Sequence, residues 1–123
     1  MVGLATGLSL EGYNPIVYIE RFDFILNGLD AIVNHLQKIE PMSHGEFQPV
    51  VLFKVAIGIK NKPLYSGLTH TQDFTEAMKK LVSFPVIKLS IKDNNIKNIY
   101  EFAGNSKESI IIIEEKDLYD EQI

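Results

Sequence analysis

Apolar residues recur along the chain in blocks whose period changes from one block to the next. Val2 to Leu10 is a short helical pattern that carries Gly3 and Gly7. Glycine is a poor helix former, so its presence here predicts a helix lying close against its neighbours. Gly12 reads as a C-terminal cap before a turn at Asn14-Pro15. Pro15 to Ile19 is β-branched and aromatic, which predicts a buried strand. Ile25, Leu26, Leu29, Ile32, Val33, Leu36 and Ile39 then recur at helical spacing, with Pro41 and Gly45 breaking the pattern. Pro49 to Phe53 is a second strand with almost no polar alternation. Gly58 to Thr71 shows neither period and predicts a long loop, of the kind that often carries function. Beyond it lie a helix over Asp73 to Leu81, a strand over Val86 to Leu89, and a helix over Ile91 to Phe102 ended by Gly104. Ser109 to Ile113, with four consecutive isoleucines, is a further buried strand. The acidic stretch Glu114 to Glu121 reads as a solvated edge or the start of a linker.

Helices alternating with continuously apolar strands predict an α/β fold: three layers, a mostly parallel sheet with helices on both faces. Such sheets bind ligands at the carboxyl ends of their strands, so the loops after Ile19, Phe53 and Leu89 are candidate positions. The chain has 123 residues, 46% of them hydrophobic and 23% charged, which fits one domain over 1–123. The net charge of −4 and the single arginine argue against a nucleic-acid partner. No apolar run reaches the roughly 18 residues of a membrane helix. The apolar start has no basic residue before Arg21, so no signal peptide is expected and a cytoplasmic location is. The absence of cysteine excludes disulfides, thiolate metal sites and a cysteine nucleophile.

Three histidines are available. His35 falls within the long helix, and His44 falls in a turn at Met42-Ser43-His44-Gly45. His70 ends the long loop just before a helix, where an imidazole can exchange a proton near neutral pH. A loop histidine simply bonded to backbone fits the same position. Phe22 and Phe24 flank Asp23 directly after the first strand. A two-residue alternation there could present an aromatic face to a flat ligand, but from the pattern alone two core rings are the better reading. There is no GxGxxG, no phosphate loop and no Gly-Asp-Gly. The histidine spacing supports no metal site.

Taken in order, these segments resemble thiamine-diphosphate enzymes of the transketolase-like fold. The resemblance is to the 2-oxoacid dehydrogenase beta subunits first, then to transketolase and deoxyxylulose-phosphate synthase. Gly3 to Val17 is similar to that family's GxAxGxAxxGxRPIV stretch, and Phe22 to Asn34 to its FxDFxxxAxDQIVN helix. Met42-Ser43-His44-Gly45, Gln48 to Val51, Gly67 to Gln72, Phe84 to Ser90 and Ile110 to Tyr119 resemble further family segments. Together they cover nearly the whole chain and identify it as similar to the pyrimidine-binding domain.

The resemblance implies a division of labour. A diphosphate-binding partner subunit or domain holds Mg²⁺ and the diphosphate of thiamine diphosphate, while this domain holds the aminopyrimidine ring. Phe24, with Phe22 beside it, falls where aromatic residues line the ring pocket, and His70 matches the loop histidine that faces substrate. It implies an enzyme acting on 2-oxo acids or ketose phosphates, and a homo- or hetero-oligomer packed through the Phe22 to Ile39 helix. The family glutamate that protonates the ring, and the first family strand, both align before Met1. The chain is therefore expected to be an N-terminally truncated pyrimidine domain lacking its first strand. A second family histidine is replaced near Lys79 and Lys80, and Asn14 stands where a basic residue is usual. With these departures, the competing expectation is a non-catalytic interaction module that kept the fold and lost the chemistry.

Overall fold

The computed structural model describes residues 1–61, 65–90 and 95–120. Its centre is a four-stranded sheet of β1 (Ile16–Ile19), β2 (Leu52–Ile57), β3 (Val86–Lys88) and β4 (Ile110–Glu115). The spatial order is β1-β2-β4-β3 and every pairing is parallel. The helices are α1 (Val2–Leu10), α2 (Gln37–Met42), α3 (Thr75–Leu81) and α4 (Ile96–Gly104). A 3-10 turn over Phe22–Gly28 and a π-helical segment over Ala31–Leu36 lead into α2.

Strand residues alternate between the two faces of the sheet, and so does the core. Val17, Ile19, Phe53, Val55, Ile57, Ile111 and Ile113 face α1, the compound helix of 22–42 and α3. Leu52, Ile87, Ile110 and Ile112 face α4 through Ile96, Ile99, Tyr100 and Ala103. This is the three-layer α/β architecture expected from the run of apolar strands. All four isoleucines of β4 are at most 1% exposed, as a central strand covered on both faces requires. The α4 layer stops short of β1, where Ile16 is 65% exposed.

Several local expectations change. Gly12 does cap α1: at φ +90° it lets the Gly12 amide donate to the Ser9 carbonyl and the Tyr13 amide to the Leu8 carbonyl. Gly3 and Gly7, by contrast, have no described atom within 4 Å of where a Cβ would stand. They lie on the outer side of α1, and the close approach is made instead at Gly28, whose Cβ would sit 3.1 Å from Val2. The long helix runs through Pro41 to Met42. Pro41 has no amide to give to the Gln37 carbonyl, yet the chain turns only at His44 (φ +53°) and Gly45 (φ +83°). Strand β2 extends past Phe53 to Ile57; Lys54 is accommodated within it on the α4 face, between Tyr18 and Ile112 and 3.4 Å from Glu114. Of the helix expected from Ile91, residues 91–94 lie outside the described residues; α4 begins at Ile96.

Candidate functional site at the carboxyl ends of β1 and β2

The chain leaves β1 through Glu20 and Arg21 and winds immediately into the 3-10 turn. Three residues per turn place Phe22, Ile25 and Gly28 on one side. Phe22 and Ile25 are fully buried there. Phe22 packs edge-on against Phe74, with ring centroids 5.7 Å apart. Phe24 is rotated off that side and is 46% exposed. The shared aromatic face expected from a two-residue alternation is therefore not formed: the period is three, so Phe22 is a core ring and Phe24 a surface ring.

Beyond β2 the chain turns back on itself rather than straying. The Ser66 amide donates to the Ile59 carbonyl at 2.9 Å, and the Ile59 amide to Ser66 Oγ at 3.0 Å. The Gly58 amide donates to the His70 carbonyl at 3.0 Å. A Cβ on Gly58 would lie 2.1 Å from that carbonyl oxygen, so only glycine admits this approach. The His70 amide donates to the Gly67 carbonyl, and Thr71 Oγ1 donates to the same oxygen. His70 thus has the backbone bonds of an ordinary loop histidine, yet its half-buried ring is free of the backbone. It meets Phe24 edge-on at 5.5 Å, and its Nδ1 lies 3.1 Å from Thr69 Oγ1. The structure brings Phe24 and His70 together at the carboxyl end of the sheet and keeps Phe22 beneath.

Two residues of this site were not singled out as site residues by the sequence. Asp23 is 9% exposed, and its Oδ1 accepts from Gln72 Nε2 at 2.6 Å. Among the described residues its Oδ2 is buried with no donor, and Arg21 Nε is buried with no acceptor. The signal was present, since Asp23 lies between the two phenylalanines and Gln72 two residues past His70.

A cleft of about 510 Å³ runs beside β1, lined by Val2, Tyr18, Glu20, Phe24, Ile25 and Ala31 among others. Phe24 is the residue this cleft shares with the His70 contact. The other two histidines stand apart. His35 is on the exposed helix side, 3.3 Å from Asp30, and His44 is in the turn. Among the described residues no group of three or more His, Asp and Glu side chains is placed to hold a metal ion.

The acidic stretch after the isoleucines is not the solvated edge it promised. Glu114 and Glu115 belong to β4 and point to opposite faces. On the α4 face, Glu114 accepts from Tyr100 and Tyr119, each at 2.5 Å, and lies 3.4 Å from Lys54 Nζ. Burial raises the Glu114 pKa, but these phenols and the ammonium outweigh it and hold the carboxyl below its usual value. Both tyrosines are pushed well up, first by burial and then by that carboxylate. On the α3 face, Lys88 bridges Asp73 at 2.7 Å and Glu115 at 2.6 Å. Asp117 then accepts from the Lys60 and Asn61 amides, tying the chain beyond β4 to the loop after β2. Glu121 lies outside the described residues.

Comparison with known proteins agrees with the architecture. No protein-family model matches the chain. The pyruvate dehydrogenase E1 component subunit beta of Saccharomyces cerevisiae, a mitochondrial protein, is 26% identical over 97% of this chain and 31% of its own length. The pyruvate dehydrogenase E1 component subunit beta of Rickettsia felis is 27% identical over 95% of this chain and 35% of its own. That of Bacillus subtilis is 25% identical over 95% and 35%. The homologues of this chain are thus pyruvate dehydrogenase E1 beta subunits, and the chain spans about a third of their length.

Proposed function

We propose, from homology to these beta subunits, that the chain supplies the aminopyrimidine side of a thiamine-diphosphate pocket in an enzyme acting on 2-oxo acids. The observation that carries this reading is the pairing of the Phe24 and His70 rings at the carboxyl end of a parallel sheet. That is where sheets of this class receive ligands. The residues fit the cofactor's ring: Phe24 offers a half-exposed aromatic face at the rim of a largely apolar cleft. Phe22 backs this wall from within the core, without a face of its own toward the ligand.

When bound, thiamine diphosphate supplies the electron sink for the carbanion chemistry. The chain's own part is binding and proton management. Phe24 packs against the ring and excludes water from one side of it. His70, next to Phe24 and within reach of the Thr69 hydroxyl, holds or releases a proton toward the substrate. Mg²⁺ and the diphosphate belong to a partner subunit or domain, since this chain carries no motif for them. The complex forms through the outer face of the helix over 22–42, where Leu26 and Met42 are exposed apolar side chains.

The test is thermal unfolding of the chain with an E1 alpha-type partner, with and without thiamine diphosphate and Mg²⁺. A cofactor-dependent rise in Tm, lost in Phe24→Ala, is expected. Association with the partner but no cofactor-dependent rise leaves the interaction module that kept the fold and lost the chemistry.

A further inference from the structure

We infer that Asp23 and Gln72 form a positioning pair that sets the His70 ring against Phe24. The inference rests on the role proposed for those two rings. Asp23 sits at the start of the 3-10 turn, between a buried Phe22 and a surface Phe24, and is itself 9% exposed. Gln72 follows His70 by two residues on the loop that returns from β2. The 2.6 Å bond between them joins the segment that carries Phe24 to the segment that carries His70. Because the acceptor is nine-tenths buried, water competes poorly for it, and a charge-assisted bond in such a place is strong. The backbone bonds of the loop do less for the ring itself. Gly58 and Gly67 hold the His70 carbonyl and amide, not its imidazole. Nothing else described spans from the loop's exit to the Phe24 turn by a side-chain hydrogen bond. Gln72 is exposed apart from this contact, so its long side chain has no packing reason to lie inward. The pair therefore acts on ring placement and is not a catalytic group.

The experiment uses the full chain, isotope-labelled, with no cofactor present. Nuclear Overhauser contacts between the His70 and Phe24 rings report the placement, and amide exchange reports the loop. Gln72→Ala, a truncation of a surface side chain, is expected to abolish the ring–ring contact. It is also expected to speed exchange at residues 66–72 at least tenfold while β4 stays protected. Asp23→Asn, a separate variant that keeps an acceptor oxygen for Gln72, is expected to leave both readouts at the parent values. If Gln72→Ala keeps the contact and the exchange rates, the inference is overturned. It is equally overturned if exchange rises across β4 as well, because the pair is then an ordinary stabilising contact. The cofactor reading fails separately, by absence of a cofactor-dependent Tm rise in the parent chain whose rings are in contact.

Discussion

Phe22 and Phe24 are two residues apart and carry the same ring, yet the turn they share gives them unlike energetics. Truncating Phe22, fully buried against Phe74, should cost about 3–5 kcal/mol by lost transfer energy and the cavity left behind. Truncating Phe24 should cost no more than about 1 kcal/mol, because its ring is already half in water. Urea unfolding of the two alanine variants checks this; equal losses would mean the three-residue period does not hold in solution. Gly58→Ala is the opposite kind of change. A methyl 2.1 Å from the His70 carbonyl must push the loop aside, at about 1–3 kcal/mol by overpacking. It should also disturb the His70 ring contact, which the same spectra would show. The residue types needed for this site were legible in the sequence, but their partition was not. Whether a ring faces core or solvent depends on the local winding, and a three-residue period cannot be told from alternation over so short a run. The Asp23–Gln72 bond was illegible for another reason: it joins residues 49 apart in the chain.

At the scale of elements, the ends of β3 and β4 and the start of α3 are fastened by one ammonium. Burial raises the Asp73 pKa, but Lys88, the Thr75 hydroxyl and the Thr75 amide more than offset it and bring it from 3.8 to about 2. A carboxylate with a lowered folded pKa stabilises above its unfolded value and loses that contribution as the pH falls through the folded one. The Asp73 share of stability should therefore be complete above about pH 4 and fade toward pH 2. Lys88, displaced the other way by the two carboxylates against its burial, contributes fully below 10.5 and loses its share as the pH rises beyond that. Asp73→Ala should cost about 1 kcal/mol by taking away the acceptor of the Thr75 amide and hydroxyl at the start of α3. It should also flatten the acid limb of a pH–stability curve, and a variant with an unchanged acid limb would contradict the assignment. Helices and strands as such were well marked by period and by apolar runs. Their ends were not: the acidic residues of β4 looked like solvated chain because their partners, Tyr100, Lys54 and Lys88, come from other elements.

For the whole molecule, the order β1-β2-β4-β3 means that β4 holds both halves of the sheet together. Ile112→Ala, at a fully buried position on the α4 side, should cost about 2–5 kcal/mol and lower unfolding of both layers as one transition. Separate melting of the two layers by fluorescence and circular dichroism would show that the sheet is not the cooperative unit. The fold class was readable because helices alternate with continuously apolar strands, of which the four isoleucines in a row are the clearest. The same strand order has a consequence for how the protein is made. Strand β2 leaves the ribosome complete at Ile57, while the neighbour that belongs beside it ends 58 residues later at Glu115 (115 − 57). At about 5–20 residues per second, nascent β2 waits roughly 3–12 seconds with an apolar flank unsatisfied. In that interval the open flank of β2 is a template on which neighbouring polypeptides of a polysome can pair.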